Sequence, residues 1–324
     1  MNNSTQESKL HYVAKALALL FVIVSHMPFG RGSAEIGRMA VGQIGIFVFF
    51  ICSGFFFEET RLNKAFWIKK AKTIIAPWII FATLTFIIST VISRSFRGFP
   101  LTYIKWICGV GSSYWYMSEL LACYLLLQLI LHDDKEKNDI ILLLCGLISI
   151  LSVILSACNV IKYNTSFNQY TNFLNWIGVF ALGMLIRKRN WLNILVSKIV
   201  FWISLFSLLI CVSMCIMRGV IIEAYIDLFS LPIDIFGSIC VFYTANLLEN
   251  NKLLVDIGKK SFFIYLIHIQ LAGIINTRLP YSVFYFILRP IIALSISYLI
   301  AKAMEWTLLK LGVFDKVGIL LALR

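Results

Sequence analysis

Apolar residues recur along this chain in long runs that are separated by short polar connections. A helix that crosses the hydrocarbon core of a bilayer needs about 20 predominantly apolar residues. The runs therefore predict about ten membrane-spanning helices, and no connection is long enough to hold a folded soluble domain. We expect residues 1–324 to form a single all-α transmembrane domain. The predicted spans are 11–29, 40–57, 73–93, 112–131, 140–158, 173–186, 199–217, 228–248, 261–277 and 283–305.

Lysine and arginine are concentrated in alternate connections, most clearly at 58–72 and 187–198 and only weakly in the mixed-charge stretch 132–139. Cytoplasmic connections of membrane proteins carry the excess of these residues. This rule places the N-terminus in the cytoplasm, and ten spans bring the C-terminus back to the same side. Of the 29 Lys and Arg residues, those predicted on the outer side are Arg31, Arg38, Arg94, Arg97, Lys105, Lys162, Arg218, Arg278 and Arg289.

The composition favours a multi-pass protein of the plasma or inner membrane. Hydrophobic residues make up 60% of the chain and charged residues 14%, whereas soluble domains carry about 25% charged residues. The net charge of +13 follows the alternate connections, which argues against a nucleic-acid partner. The eight cysteines form no CxxC pair and have no His at ligand spacing. We therefore expect small buried hydrophobes at these positions and no metal site.

Lys15 and His26 lie in the first apolar run with ten residues between them. Eleven helical steps make about three turns and rise roughly 16 Å, so the two side chains share a face but cannot bond to each other directly. Ionisable groups inside a membrane helix are costly and often functional, and His is the side chain suited to act as a base near neutral pH. The alternative is that Lys15 snorkels to the headgroups and His26 merely ends the helix.

Two later segments hold further candidate chemistry. Ser53 and Gly54, in the run FVFFICSGFFF at 47–57, allow another backbone or a ligand to approach closely. In the following connection, Lys69 and Lys72 share a helical face, and together with Lys70 they suit the binding of phosphate groups. The alternative for these lysines is the ordinary one, in which positive-inside residues hold anionic lipid.

These segments, in this order, resemble the integral-membrane acyltransferase 3 family. That family pairs a basic residue with a His after ten intervening residues in its first span, and has FFxxSGF in the second span. A basic-x-x-basic motif and a Pro-aromatic pair follow at the first inner loop. Two later family segments read WFL…YLL and Ser-aromatic…Tyr-Leu-x-His. The matching positions here are Lys15 with His26, 49–55, Lys69 with Lys72, Pro77 with Trp78, 115–126 and 261–268.

The chain departs from the family pattern at two places. The basic-x-x-basic motif usually carries two arginines, and here both positions are lysine, so the bidentate grip of a guanidinium on phosphate is lost. The segment that begins at Trp115 lacks the paired Glu found in one branch of the family, although Glu119 lies nearby.

The resemblance implies transfer of an acyl group, most often acetyl, from cytoplasmic acetyl-CoA or another acyl-CoA to a hydroxyl of an envelope polysaccharide or glycolipid. It implies that His26 is either a general base or a transient acyl carrier, and that Lys15 supports the donor side. Lys69, Lys72 and Lys70 would then bind the phosphates of the donor. The oligomeric state does not follow from the resemblance.

Four further residues are candidates for binding the acceptor. Glu119 and Asp234 lie in or beside apolar runs, where a carboxylate usually faces a partner or a wet cavity. Trp115 could stack on a sugar, although interfacial aromatic belts explain it equally well, and His268 either lines the same cavity as His26 or is satisfied by a neighbouring helix. Intramembrane His, Glu and Asp also occur in transporters, so a carrier of a small amino acid or sugar is the alternative function.

Overall fold

The computed structural model describes residues 3–28, 33–57, 63–94, 99–110, 112, 114–132, 135–158, 160–162, 169–218, 229–279 and 283–323, and every regular element in these ranges is helical. One π-helical turn, Ala71–Ile75, joins α4 to α5 without a break. The helices are α1 (Asn3–Ser25), α2 (Ser33–Gly42), α3 (Ile44–Phe55), α4 (Lys64–Lys70), α5 (Ala76–Ser93), α6 (Leu101–Ile107), α7 (Trp115–Ile130), α8 (Lys135–Ala157), α9 (Leu174–Lys188), α10 (Leu192–Leu195), α11 (Lys198–Arg218), α12 (Ser230–Leu247), α13 (Lys252–Lys259), α14 (Ser261–Arg278), α15 (Val283–Lys310) and α16 (Phe314–Val317).

The predicted all-α architecture is confirmed, and each of the ten predicted spans falls on a helix or a joined pair of helices. The run 40–57 is divided at Gln43 between α2 and α3, and the run 73–93 is the later part of the continuous α4–π–α5 helix. Seven helices in the described ranges are long and apolar enough to cross a membrane, and α7 is apolar but shorter. The count of ten spans and the orientation stay predictions, and the predicted span ends at 29 and 228 lie outside the described residues.

Helix α1 lies at the centre of the bundle. It packs against α2, α3, α12, α13, α14 and α15, and its small residues Ala14, Ala16 and Ala18 are almost completely buried. Small side chains at helix interfaces let neighbouring backbones approach in a membrane protein. Because the first predicted span is surrounded in this way, polar groups on it face other helices rather than lipid.

The close approach expected at Gly54 is present, and its partner is α9. A β-carbon at Gly54 would lie 1.9 Å from the Phe180 carbonyl oxygen, and one at Gly183 would lie 2.2 Å from the Ile51 carbonyl oxygen. Two glycines therefore face each other across the contact of α3 with α9. This contact sets the position of the second half of the FFxxSGF segment.

We predict that Gly54→Ala lowers the melting temperature of the detergent-solubilised protein. The added methyl group overlaps a backbone atom, which cannot rotate away, so the helices must separate at a cost of about 1–3 kcal/mol or more. Gly146→Ala on α8 is the matched control, since nothing lies within 4 Å of a β-carbon there, and alanine is the better helix former. Equal melting temperatures for the two variants would show that the α3–α9 contact can relax freely.

The cysteine prediction is confirmed for part of the set only. Cys52, Cys123 and Cys215 are buried as expected, but Cys108 and Cys158 are exposed. These two residues follow the last residues of α6 and α8, where the chain leaves the packed bundle, so the interpretation as buried hydrophobes is wrong for them. All eight cysteines are free thiols.

Candidate active site

A cavity of about 280 Å³ lies beside α1 at the position of Lys15. Its walls come from α1, α3, the α4–π–α5 helix, α7 and the start of α14. Five family-like segments contribute to it, namely the first span, 47–57, 69–78, 115–126 and 261–268. The lining side chains from these segments are Lys15; Phe49, Cys52, Ser53 and Phe56; Lys70, Thr73 and Ile74; Tyr116, Met117, Leu120 and Tyr124; and Ser261, Phe262 and Tyr265.

Two lysines supply the positive charge of this cavity. The Lys70 Nζ atom donates a hydrogen bond to the Tyr124 hydroxyl at 3.2 Å and lies 4.2 Å from the centre of the same ring. The Lys15 Nζ atom lies 5.9 Å from the centre of the Phe56 ring. Aromatic faces attract an ammonium group without neutralising it. No salt bridge joins either lysine to a carboxylate in the described part of the chain, so both charges are available to an anionic ligand.

Lys69 and Lys72, which the sequence favoured for donor binding, are exposed and do not line the cavity. The face turned inward carries Lys70, Thr73 and Ile74, which follow the i, i+3, i+4 spacing of one helical side. The π-helical turn begins immediately after Lys70, and such turns often occur at functional sites. The donor role of Lys69 and Lys72 stays a prediction, and Lys70 is the member of the cluster that the fold brings to the cavity.

His26 lies in the turn that follows the last residue of α1, about three helical turns from Lys15 at the cavity. Its ring lies 5.3 Å from the ring of His268 on α14, measured between centroids. The His268 ring lies in turn 5.4 Å from the ring of Tyr265, which lines the cavity. Two aromatic side chains, Tyr265 and His268, thus lead from the cavity to His26.

The hydrogen bonding of His268 assigns its tautomer. Its Nδ1 atom lies 2.6 Å from the Tyr265 carbonyl oxygen, and a carbonyl only accepts, so Nδ1 carries the proton. The Nε2 atom is then an acceptor, and it is buried without a protein partner among the described residues. A fully buried imidazole with a free acceptor nitrogen beside His26 is suited to accept a hydrogen bond from a hydroxyl.

The sequence comparison identifies the family. The acyltransferase 3 family model, described as an acyltransferase domain, matches residues 13–304. The chain belongs to this family. The match includes all five segments that meet at the cavity, and the chain is therefore an integral-membrane protein of a family that transfers acyl groups. No curated protein and no solved structure was found to match the chain by similarity.

The four acceptor-side candidates of this acyltransferase, Trp115, Glu119, Asp234 and His268, all lie outside the cavity wall. The Trp115 ring packs between Tyr170 at 5.0 Å and Trp176 at 5.2 Å. Glu119 is buried on α7, and Asp234 is buried on α12. Of the four candidates, the fold brings only His268 into contact with His26.

The start of α14 in the acyltransferase is held by packing and by ion pairs. Gly258 lets α13 approach α1, because a β-carbon there would lie 1.9 Å from the Tyr12 carbonyl oxygen. Lys260 is almost fully buried and pairs with Asp256 at 2.8 Å and Glu305 at 3.3 Å. Burial opposes the ionisation of Asp256, but hydrogen bonds from Lys260 and Tyr298 hold its pKa below the ordinary value. These contacts fix Ser261, the next residue, at the cavity wall.

The sequence reasoning missed the cluster of tyrosine hydroxyls at the cavity. Tyr116 lies 3.3 Å from the Ser53 hydroxyl, and Tyr124 accepts the bond from Lys70. Both residues stand in the family-like segment 115–126, and Tyr265 stands in the segment 261–268. The only sequence signal for these tyrosines was their position in the two family-like segments. Aromatic residues are so common in membrane helices that this position alone did not distinguish them from other aromatic residues.

Proposed function

We propose that this protein transfers an acyl group, most readily acetyl, from acyl-CoA to a hydroxyl of an envelope polysaccharide or glycolipid. The observation that carries the proposal is the single cavity to which all five family segments contribute and in which Lys15 and Lys70 are the cations. A polyphosphate thioester requires cations at one place and a base for the acceptor hydroxyl at another. Lys15 in the middle of α1 and His26 just beyond its last residue meet these two requirements about three turns apart.

The donor is proposed to bind with its phosphates near Lys70 and Lys15. Ligand pockets are typically about 300–1,000 Å³, so a cavity of about 280 Å³ suits the narrow pantetheine arm, with the nucleotide outside. The predicted orientation places this end of the bundle toward the cytoplasm, where acyl-CoA is made. Lys69 and Lys72, which are exposed close by, are proposed to attract the phosphates before they reach Lys70.

The chemistry is proposed to take place at His26. In the direct route, the imidazole takes the proton from the acceptor hydroxyl while the oxygen attacks the thioester carbonyl. The carbon–sulfur bond then breaks, and the thiolate of CoA receives the proton from the imidazolium. In the two-step route, a His26 nitrogen attacks the thioester carbonyl, the carbon–sulfur bond breaks, and the thiolate of CoA takes the proton that the imidazole loses. The acceptor hydroxyl then attacks the acyl group, the carbon–nitrogen bond breaks, and the hydroxyl proton returns to His26. Both routes give one ester and one free thiol.

The path from donor to base is proposed to follow Tyr265 and His268. Tyr265 lines the cavity, and His268 lies between Tyr265 and His26. The free Nε2 acceptor of His268 suits a hydrogen bond to the acceptor hydroxyl or to protonated His26. The predicted orientation puts His26 toward the outer side of the membrane, where envelope glycans lie. Trp115, Glu119 and Asp234 remain candidates for holding the acceptor beyond this point.

We expect membranes that contain this protein to transfer radiolabel from acetyl-CoA to their glycan or glycolipid fraction. Mild alkali should release the label, because an O-acetyl ester is base-labile and an N-acetyl amide is not. Membranes prepared without the protein serve as the control, and the O-acetyl content of each glycan then identifies the acceptor. Absence of base-labile label, together with uptake of a labelled amino acid or sugar by vesicles free of acyl-CoA, would favour a transporter instead.

A further inference from the structure

We propose that Arg38, Asn276 and Arg289 are positioning residues for His26. Their side chains donate hydrogen bonds to the main-chain carbonyls around His26 and thereby fix its position. This inference rests on the proposed function, because it assigns His26 the chemical step. The three residues come from α2, α14 and α15. Each donates a hydrogen bond from its side chain to a main-chain carbonyl at the end of α1 or in the turn that follows it.

The end of a helix leaves its last four carbonyls without helical partners, and in a membrane such groups must be satisfied within the protein. At the end of α1, three of these carbonyls have local partners. The Ser25 hydroxyl donates to the Val22 carbonyl at 2.6 Å, and the His26 and Met27 amides donate to the Ile23 and Val24 carbonyls, each at 3.0 Å. The carbonyls of Ser25, His26 and Pro28 accept from side chains elsewhere in the fold.

Arg38 donates hydrogen bonds to the carbonyls of the last two residues of α1. Its Nη1 atom donates to the Val24 carbonyl at 3.2 Å and also to the Ser25 carbonyl. Its Nε atom donates to Glu35 at 2.9 Å, so a carboxylate one turn away holds the guanidinium in place. The side chain is only 7% exposed, although the sequence predicted it to be one of the outer-side charges.

Asn276 and Arg289 donate hydrogen bonds to the carbonyls of His26 and Pro28. The Asn276 Nδ2 atom donates to the His26 carbonyl at 3.0 Å. The Arg289 Nη1 atom donates to the Pro28 carbonyl at 3.3 Å, and its Nη2 atom donates to the Leu279 carbonyl at the end of α14. Arg289 is 2% exposed. The turn is thereby tied to α14, which also carries His268.

Together these bonds hold the main chain on both sides of the His26 Cα atom. A short misplacement of a base from its reacting group lowers the rate strongly. Donor binding instead depends on Lys15, about three turns away along α1, and on Lys70 in the same cavity. Loss of one of these bonds should therefore lower kcat and leave the KM for acyl-CoA nearly unchanged.

The test uses the full-length protein in membranes, with labelled acetyl-CoA as the probe and the same glycan fraction as acceptor. We expect Arg38→Met and Asn276→Asp each to lower kcat at least about tenfold with a KM for acetyl-CoA within about twofold of wild type. Arg38→Lys should recover part of the loss, because it restores one donor. Arg278→Met is the matched control, since this arginine is exposed at the same end of α14 and should keep wild-type kinetics.

Wild-type kcat in both Arg38→Met and Asn276→Asp would overturn the inference, as would a loss that only follows the amount of folded protein. A second measurement is independent of transfer: the rate at which diethyl pyrocarbonate modifies His26, read by mass spectrometry of its peptide with exposed His132 as internal reference. We expect Asn276→Asp to change the His26 rate severalfold. If the wild-type protein transfers no label, the proposed function is wrong. The positioning role is then judged by the modification rate alone, and an unchanged His26 modification rate in Asn276→Asp would overturn it.

Discussion

Replacement of His26 by alanine is expected to abolish acyl transfer while the protein remains inserted and folded. A positioned general base contributes about 10²–10⁴-fold to a rate, and a residue that carried the acyl group covalently would contribute at least as much. The loss should appear in kcat, because the lysines of the cavity remain in place. The measurement is base-labile label passed from acetyl-CoA to the glycan fraction, normalised to the amount of protein in the membrane.

His132→Ala is the control for this experiment. That histidine is exposed in the connection between α7 and α8, and its removal should leave transfer unchanged. Unchanged labelling of the glycan fraction in His26→Ala would show that His26 has no catalytic role. A trapped label on the wild-type His26 peptide, found after brief reaction without acceptor, would select the acyl-carrier route over the direct route.

The second large effect is expected at Lys70. Lys70→Met should raise the KM for acetyl-CoA about tenfold or more and change kcat little, because the lysine binds the donor equally in the ground state and the transition state. A hydrogen bond to a charged group contributes about 1.5–3 kcal/mol, and each 1.4 kcal/mol is about tenfold in affinity. Methionine keeps the length of the side chain and removes its charge, so the packing on Tyr124 and Phe66 is largely retained.

The double variant Lys69→Met with Lys72→Met provides the comparison. These lysines are exposed, so water and salt screen their attraction for phosphate, and the rise in KM should be smaller and should vanish at high salt. If the double variant raises the KM more than Lys70→Met does, the donor phosphates bind outside the cavity. An unchanged KM in both variants would remove this lysine cluster from the donor site.

The apolar pattern predicted the helices well because the thickness of a bilayer imposes their length. Each predicted span lies on a helix, and the one clear surprise within a span is the break at Gln43 between α2 and α3. The same pattern placed Lys15 inside a membrane helix and His26 at its end. The ordered motifs also predicted the family, since residues 13–304 match it.

The direction of individual side chains required the tertiary structure. Helical spacing predicted that Lys69 and Lys72 share a face, but which face turns inward depends on how the α4–π–α5 helix packs against α7. That packing selects Lys70. Similarly, the contact of His26 with His268 joins residues from opposite ends of the chain, and no local pattern encodes such a pair.

The sequence by itself determined that the chain is an all-α membrane protein, where its long apolar helices lie and which short segments resemble those of the family. These properties follow from local composition, and local composition is set by the bilayer and by the chemistry of single residues. Only the tertiary structure decided that Lys15 and Lys70 share one cavity and that Arg38 and Arg289 are buried around the His26 turn. The physical reason is that unpaired carbonyls at the end of α1 need donors, and only the packing of the other helices determines which side chains reach them.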